Sequence, residues 1–124
     1  MKRTAPHENL TDDWANRRRA QRVDVSSELG GFTVPEDLPV TVREVSLGGF
    51  SIESAIRFEI GCQQAFRFCA RDGRETIVIG RVMHCHGRQL LTRNPIYVAG
   101  FEFLPQPVGN FELIIDVLEK LAPS

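Results

Sequence analysis

The sequence predicts a mostly-β fold of about six antiparallel strands, arranged as a barrel or sandwich and closed by one C-terminal α-helix. Three observations carry this expectation. Short runs in which apolar and polar residues alternate recur at roughly 8–15-residue spacing from Val23 to Leu104, broken by turn residues. No segment of helical period lies between them, so the crossovers that a parallel sheet needs are missing. Behind Pro105 and Pro107 the apolar spacing changes to that of a helix.

In order, Val23 and Val25 alternate with Asp24 and Ser26, and Gly30-Gly31 are expected to break the run. Phe32 and Val34 resume it before a turn at Pro35-Glu36-Asp37. Val40 and Val42 alternate with Thr41 and Arg43, the period-2 signature of a half-buried strand. After Gly48-Gly49 the pattern returns in Phe50 and Ile52, and again in Phe66 and Phe68 before an Asp72-Gly73 turn. Thr76–His86 is rich in β-branched residues, and Tyr97, Ala99, Phe101 and Phe103 share one face of the last strand. Asn110 is the expected N-cap of a helix over 110–121, with Phe111, Ile114, Ile115, Leu118 and Leu121 as its apolar stripe. Packing of that stripe on the chain's own core is favoured over a partner-binding helix.

A chain of 124 residues fits one domain with a modest core, and 42% hydrophobic with 25% charged residues is ordinary for a globular protein. Residues 1–16 show no period and are read as a flexible tail in which Trp14 is the one large aromatic. No apolar run approaches a membrane span, and the N-terminus lacks the apolar stretch of a signal peptide. Three cysteines without a CxxC pair fit a reduced, cytoplasmic protein, and Cys62 and Cys69 are expected as core fillers.

The net charge of −1 argues against general binding to a nucleic acid polymer or an acidic membrane. Yet Arg17, Arg18, Arg19 and Arg22 fall within six residues, leaving 11 basic against 16 acidic side chains elsewhere. Charge alone reads as a solvated basic arm. Arginine nevertheless suits a local anionic partner, because its planar fork binds phosphate or a base edge bidentately and stacks on flat rings.

Two motifs sharpen that reading. Arg18-x-x-x-Arg22 precedes the first strand, and Glu44-Val45-Ser46-Leu47-Gly48-Gly49 lies where one strand turns into the next. Together they resemble the signature of the PilZ domain family of bacterial cyclic di-GMP receptors, RxxxR followed by [D/N]xSxxG. Arg22-Val23, Gly80-Arg81-Val82 and Gly100-Phe101-Glu102-Phe103 extend the likeness over most of the chain. The resemblance implies a single domain over 17–122, with an arginine arm at 17–22, a six-stranded antiparallel β-barrel of split-barrel type at 23–104 and a helix at 110–121. It also implies cyclic di-GMP as ligand, bound by Arg18, Arg22, Glu44, Ser46 and Gly49. Arg17, which makes the motif Arg-Arg-x-x-x-Arg, implies an intercalated ligand dimer. Arg19 is read as solvated.

The chemistry is consistent. Arginine can pair with guanine O6 and N7, a carboxylate can accept from the guanine N1–H and N2–H₂ edge, and glycine permits close backbone approach. Glu44 stands where the family has Asp or Asn, and its extra methylene carries the carboxylate about 1.5 Å further. Binding at reduced affinity is the expectation, with an unidentified protein effector reading the changed surface. The alternatives are an adaptor of the same fold that has lost the nucleotide, and a small single-stranded nucleic-acid binder. No catalytic grouping suggests an enzyme, and no cofactor or metal is expected. His84 and His86 would share one strand face, but two ligands do not make a metal site. The paired phenylalanines are read as core, and oligomeric state is left open.

Overall fold

The alternating runs translate into seven strands among residues 21–88 and 94–121, which the computed structural model describes. They are β1 (Val23–Asp24), β2 (Leu29–Val34), β3 (Pro39–Val45), β4 (Gly49–Ser54), β5 (Gln63–Ala70), β6 (Glu75–Arg88) and β7 (Ile96–Phe103). A 3₁₀ turn (Val108–Phe111) leads into the helix α1 (Glu112–Leu121). Six strands pair antiparallel in the order β3-β2-β5-β6-β7-β4, and β4 pairs back onto β3 to close the barrel. β1 is an extra strand laid on β3, with Val23 opposite Val45 and Asp24 opposite Glu44.

Inward-pointing residues of every long strand meet in one core. Val42, Val45, Ile52, Phe66, Phe68, Val78 and Val82 are at most 1% exposed. Phe50 is the hub: it stacks on Phe101 at 4.9 Å and meets Phe66 and Phe68 edge-on at 5.4 and 5.1 Å. These are the offset and T-shaped arrangements that the ring quadrupole favours.

Local chemistry moves three of the expected boundaries. Gly30 and Gly31 do not break a strand but lie within β2, opposite Cys69 and Phe68 of β5. At Gly31 a Cβ would press on Val42 and Val40, so the missing side chain makes room in the barrel. The first run ends early because the Asp24 carboxylate accepts from the Ser26 backbone N–H (2.9 Å) and hydroxyl (2.7 Å), turning the chain. Those bonds hold the Asp24 carboxyl below its ordinary range. Asn110 is not an N-cap: it sits inside the 3₁₀ turn, where its carbonyl accepts from Thr76 Oγ1 at 2.9 Å, and α1 starts at Glu112. The turn ahead of the helix satisfies that segment through backbone bonds such as Asn110 N–H to Pro107 O.

The helix packs on the barrel with its buried face shifted from the expected stripe: Leu113, Ile114 and Val117 are buried, Phe111, Leu118 and Leu121 are half-buried, and Ile115 is exposed. Phe111 meets Phe103 edge-on at 5.1 Å, and Asp116 and Lys120 reach Arg74 (2.7 Å) and Glu28 (3.2 Å) on the barrel. No helix among the described residues is long and apolar enough to cross a membrane.

Candidate functional site

The candidate site is a trough of about 430 Å³ on the outside of the barrel. Arg22, Glu44, Ser46, Gly49, His84 and Glu102 are among the residues that line it. Four of the residues singled out by the two sequence motifs are thus brought to one place. Arg17 and Arg18, like Arg19 and Trp14, lie outside the described residues.

Strand pairing explains the convergence. Asp24 sits opposite Glu44, so Arg22, two residues earlier, arrives beside the end of β3. The Arg22 Nη1 to Glu44 Oε1 distance is 3.9 Å, with both side chains roughly half-exposed or more. Ion pairs this open contribute about 0–1 kcal/mol, so an incoming ligand displaces little by separating them. Glu44 itself is re-aimed by a register shift between Val42 and Glu44, where β3 carries a bulge against β4.

Ser46 and Gly49 build the turn between β3 and β4. The Ser46 hydroxyl accepts the backbone N–H groups of Gly48 and Gly49, each at 3.2 Å, and the Ser46 N–H donates to the Gly49 carbonyl at 2.8 Å. The residue is only 7% exposed. At Gly49 an added Cβ would overlap the Phe101 carbonyl oxygen, so glycine is what allows β4 to lie this close to β7. The Ser-x-x-Gly spacing therefore has a local structural reason: the serine closes the turn and the glycine lets the next strand dock.

The floor and far wall come from residues that neither motif contains. Ser51 of β4 pairs with Glu44 on one side and with Gly100 of β7 on the other, and Gly100 pairs with His84 of β6. A second register shift, between Val82 and His84, turns the histidine onto this face. His84 and His86 stack at 5.4 Å with planes 24° apart, as strand alternation requires of residues two apart. Sequence reasoning weighed this pair only as metal ligands and so missed His84 as a wall of the trough. The strand spacing was visible, but the register that brings it opposite Gly100 was not. Among the described residues no group of three or more His, Cys, Asp or Glu side chains could hold a metal ion.

The other candidates resolve by burial. Phe66, Phe68 and Phe101 are core residues, so the paired phenylalanines offer no stacking surface for bases. Arg67 is held between Asp37 and Glu75 and lies 4.5 Å over the Phe32 ring. Cys69 is half-buried as a filler would be, but Cys62 is exposed at the start of β5 rather than filling the core. It follows a turn in which its own N–H bonds to the Glu59 carbonyl.

Comparison with known proteins agrees with this architecture. No curated protein matches the chain. Among solved structures, that of K. pneumonia MrkH in its apo state is similar, with a TM-score of 0.66 at 11% sequence identity. The likeness covers 98% of this chain and 52% of that one, so this chain spans about half the length of the structure it matches. At that identity the likeness shows the fold. The family model described as the PilZ domain matches residues 16–120, a span that takes in Arg18 and Arg22, the Glu44–Gly49 turn, the whole barrel and most of the helix, and the chain therefore belongs to the PilZ domain family.

Proposed function

We propose that this protein is a cyclic di-GMP receptor whose arginine arm closes over a nucleotide seated in the trough beside the β3–β4 turn. Membership of the PilZ domain family supports the receptor role. The observation that carries the site is the convergence of Arg22, Glu44, Ser46 and Gly49, from two separate motifs, on one cavity. In this reading Arg22 bonds to guanine O6 and N7 or to phosphate, and the Glu44 carboxylate accepts from the N1–H and N2–H₂ edge. Ser46 and Gly49 hold the turn that presents Glu44. Arg18 adds the second guanidinium, and Arg17 supports a stacked, intercalated ligand dimer. The single domain runs from 17 to 122, no reaction is catalysed, and the output is a changed surface read by a protein effector in the cytoplasm.

Calorimetric titration of the purified chain with cyclic di-GMP tests this. Saturable binding is expected, weakened at least tenfold by Arg22→Ala or Arg18→Ala and strengthened by Glu44→Asp. The absence of binding at near-millimolar ligand, or unchanged binding in both arginine variants, sinks the receptor reading. A second reading is an adaptor of the same fold that binds no nucleotide. It is favoured by the structural employment of Ser46 and Gly49, which the fold would retain without a ligand. A single-strand nucleic-acid binder would instead show oligonucleotide binding that falls steeply with salt.

A further inference from the structure

The wall of the trough opposite Arg22 and Glu44 is left unexplained by the two motifs, and it is built with some specificity. Glu44, Ser51, Gly100 and His84 form one cross-strand row over β3, β4, β7 and β6. Three strand spacings separate the ends of that row, about 14 Å measured along the sheet. The two middle residues are a serine and a glycine, and the His84 ring leans inward over the glycine, so the open part of the trough lies between that ring and Glu44. A trough of about 430 Å³ has room for a nucleotide rather than a single ion.

His84 is fitted to this position. A Cβ at residue 100 would overlap its imidazole, so the ring lies directly on Gly100 and can do so only because that residue is glycine. His86 stacks against its other side. Among the described residues the Nδ1 atom of His84 is buried and has no hydrogen-bond partner. Buried polar atoms in folded proteins are nearly always paired, and an exception on a residue that lines a cavity is one a bound ligand can satisfy. A neutral imidazole always carries one donor nitrogen, and both guanine O6/N7 and phosphate oxygens are acceptors.

We infer that His84 is a ligand-contacting residue, donating a hydrogen bond to the nucleotide bound in the trough, and that His86 positions its ring. This rests on the cyclic di-GMP reading and adds to it a contact from β6, so that the ligand is held from both sides of the row rather than by the arm and turn alone. The motif residues set charge and guanine reading on one wall, and His84 completes the enclosure on the other.

The test is titration of the full chain with cyclic di-GMP for the wild type, Arg22→Ala, His84→Phe and His84→Gln, with melting of each without ligand. Phenylalanine keeps the ring over Gly100 but cannot donate, whereas glutamine keeps a donor and loses the ring. His84→Phe is expected to bind at least tenfold more weakly while melting no lower than the wild type, and His84→Gln to stay within about threefold of it. Wild-type affinity in His84→Phe overturns the inference, as does an equal loss in both His84 variants, which would mark the ring as a space filler. If Arg22→Ala loses affinity while His84→Phe does not, only this inference fails. If the wild type binds no cyclic di-GMP, the receptor reading fails and takes the inference with it.

Discussion

Ser46 and Gly49 show how far a single residue type can be tied to its surroundings. Replacing Ser46 by alanine leaves the N–H groups of Gly48 and Gly49 without their shared acceptor in a turn that is mostly shielded from water. A loss of about 1–3 kcal/mol is expected, read as a lower urea midpoint. Gly49→Ala drives a methyl into the β7 backbone, where no side chain can swing away, and should cost at least as much. The two cysteines at either end of β5 give a chemical test at the same scale. Cys62 is exposed, whereas burial and the adjacent Glu75 carboxylate raise the Cys69 thiol above its ordinary range. A thiol reagent near neutral pH should therefore modify Cys62 well before Cys69, resolved by mass spectrometry of labelled peptides. The reverse order would contradict the placement of β5.

Among the elements, α1 was legible as a helix but not in its start or its buried face, and its two neighbouring isoleucines show the difference. Ile114 is 1% exposed and Ile115 is 36% exposed, although both fell in the apolar stripe read from spacing. Ile114→Ala should destabilise by about 2–5 kcal/mol and Ile115→Ala by roughly 0.5 kcal/mol or less, measured by denaturant unfolding. Period-2 alternation likewise found the body of each long strand. The ends were harder to read because they are set by particular contacts. Asp24 turns β1 after two residues through Ser26, and the 3₁₀ turn before Glu112 takes the place of an Asn110 cap. The Gly30-Gly31 pair looked like punctuation, but in a closed barrel a glycine can instead mark where opposite walls crowd together.

For the molecule as a whole, the convergence of Arg22, Glu44, Ser46 and Gly49 on the candidate trough was readable in the linear chain, whereas its β6 side depended on strand register. Ser51, Gly100 and His84 are separated by 49 and 16 positions and share no spacing rule. They meet only because β4 and β6 both pair with β7 and because β6 shifts register before His84. Alternation alone reports which residues share a face of one strand, not which residues of other strands lie opposite them. Closure of the barrel also joins the site to global stability, since the trough spans β3, β4, β7 and β6. Cyclic di-GMP at 100 times its dissociation constant should add about 2.7 kcal/mol to the folded state of the wild type. Thermal melting should show that gain as a higher transition temperature, and Arg22→Ala at the same ligand concentration should gain less.

The pairing of β4 back onto β3 has one more consequence. A sheet that returns to its own first strand leaves few backbone N–H and C=O groups free to template another chain, so end-on strand addition is closed to most of this surface. Among the described residues the two-residue strand β1 is paired on one side only, and so is β6 beyond Val82, where β7 is its single strand partner. A borrowed strand would therefore find its template along the end of β6, and over the rest of the barrel a partner must read side chains. The same closure guards against edge-to-edge aggregation in a small, mostly-β chain.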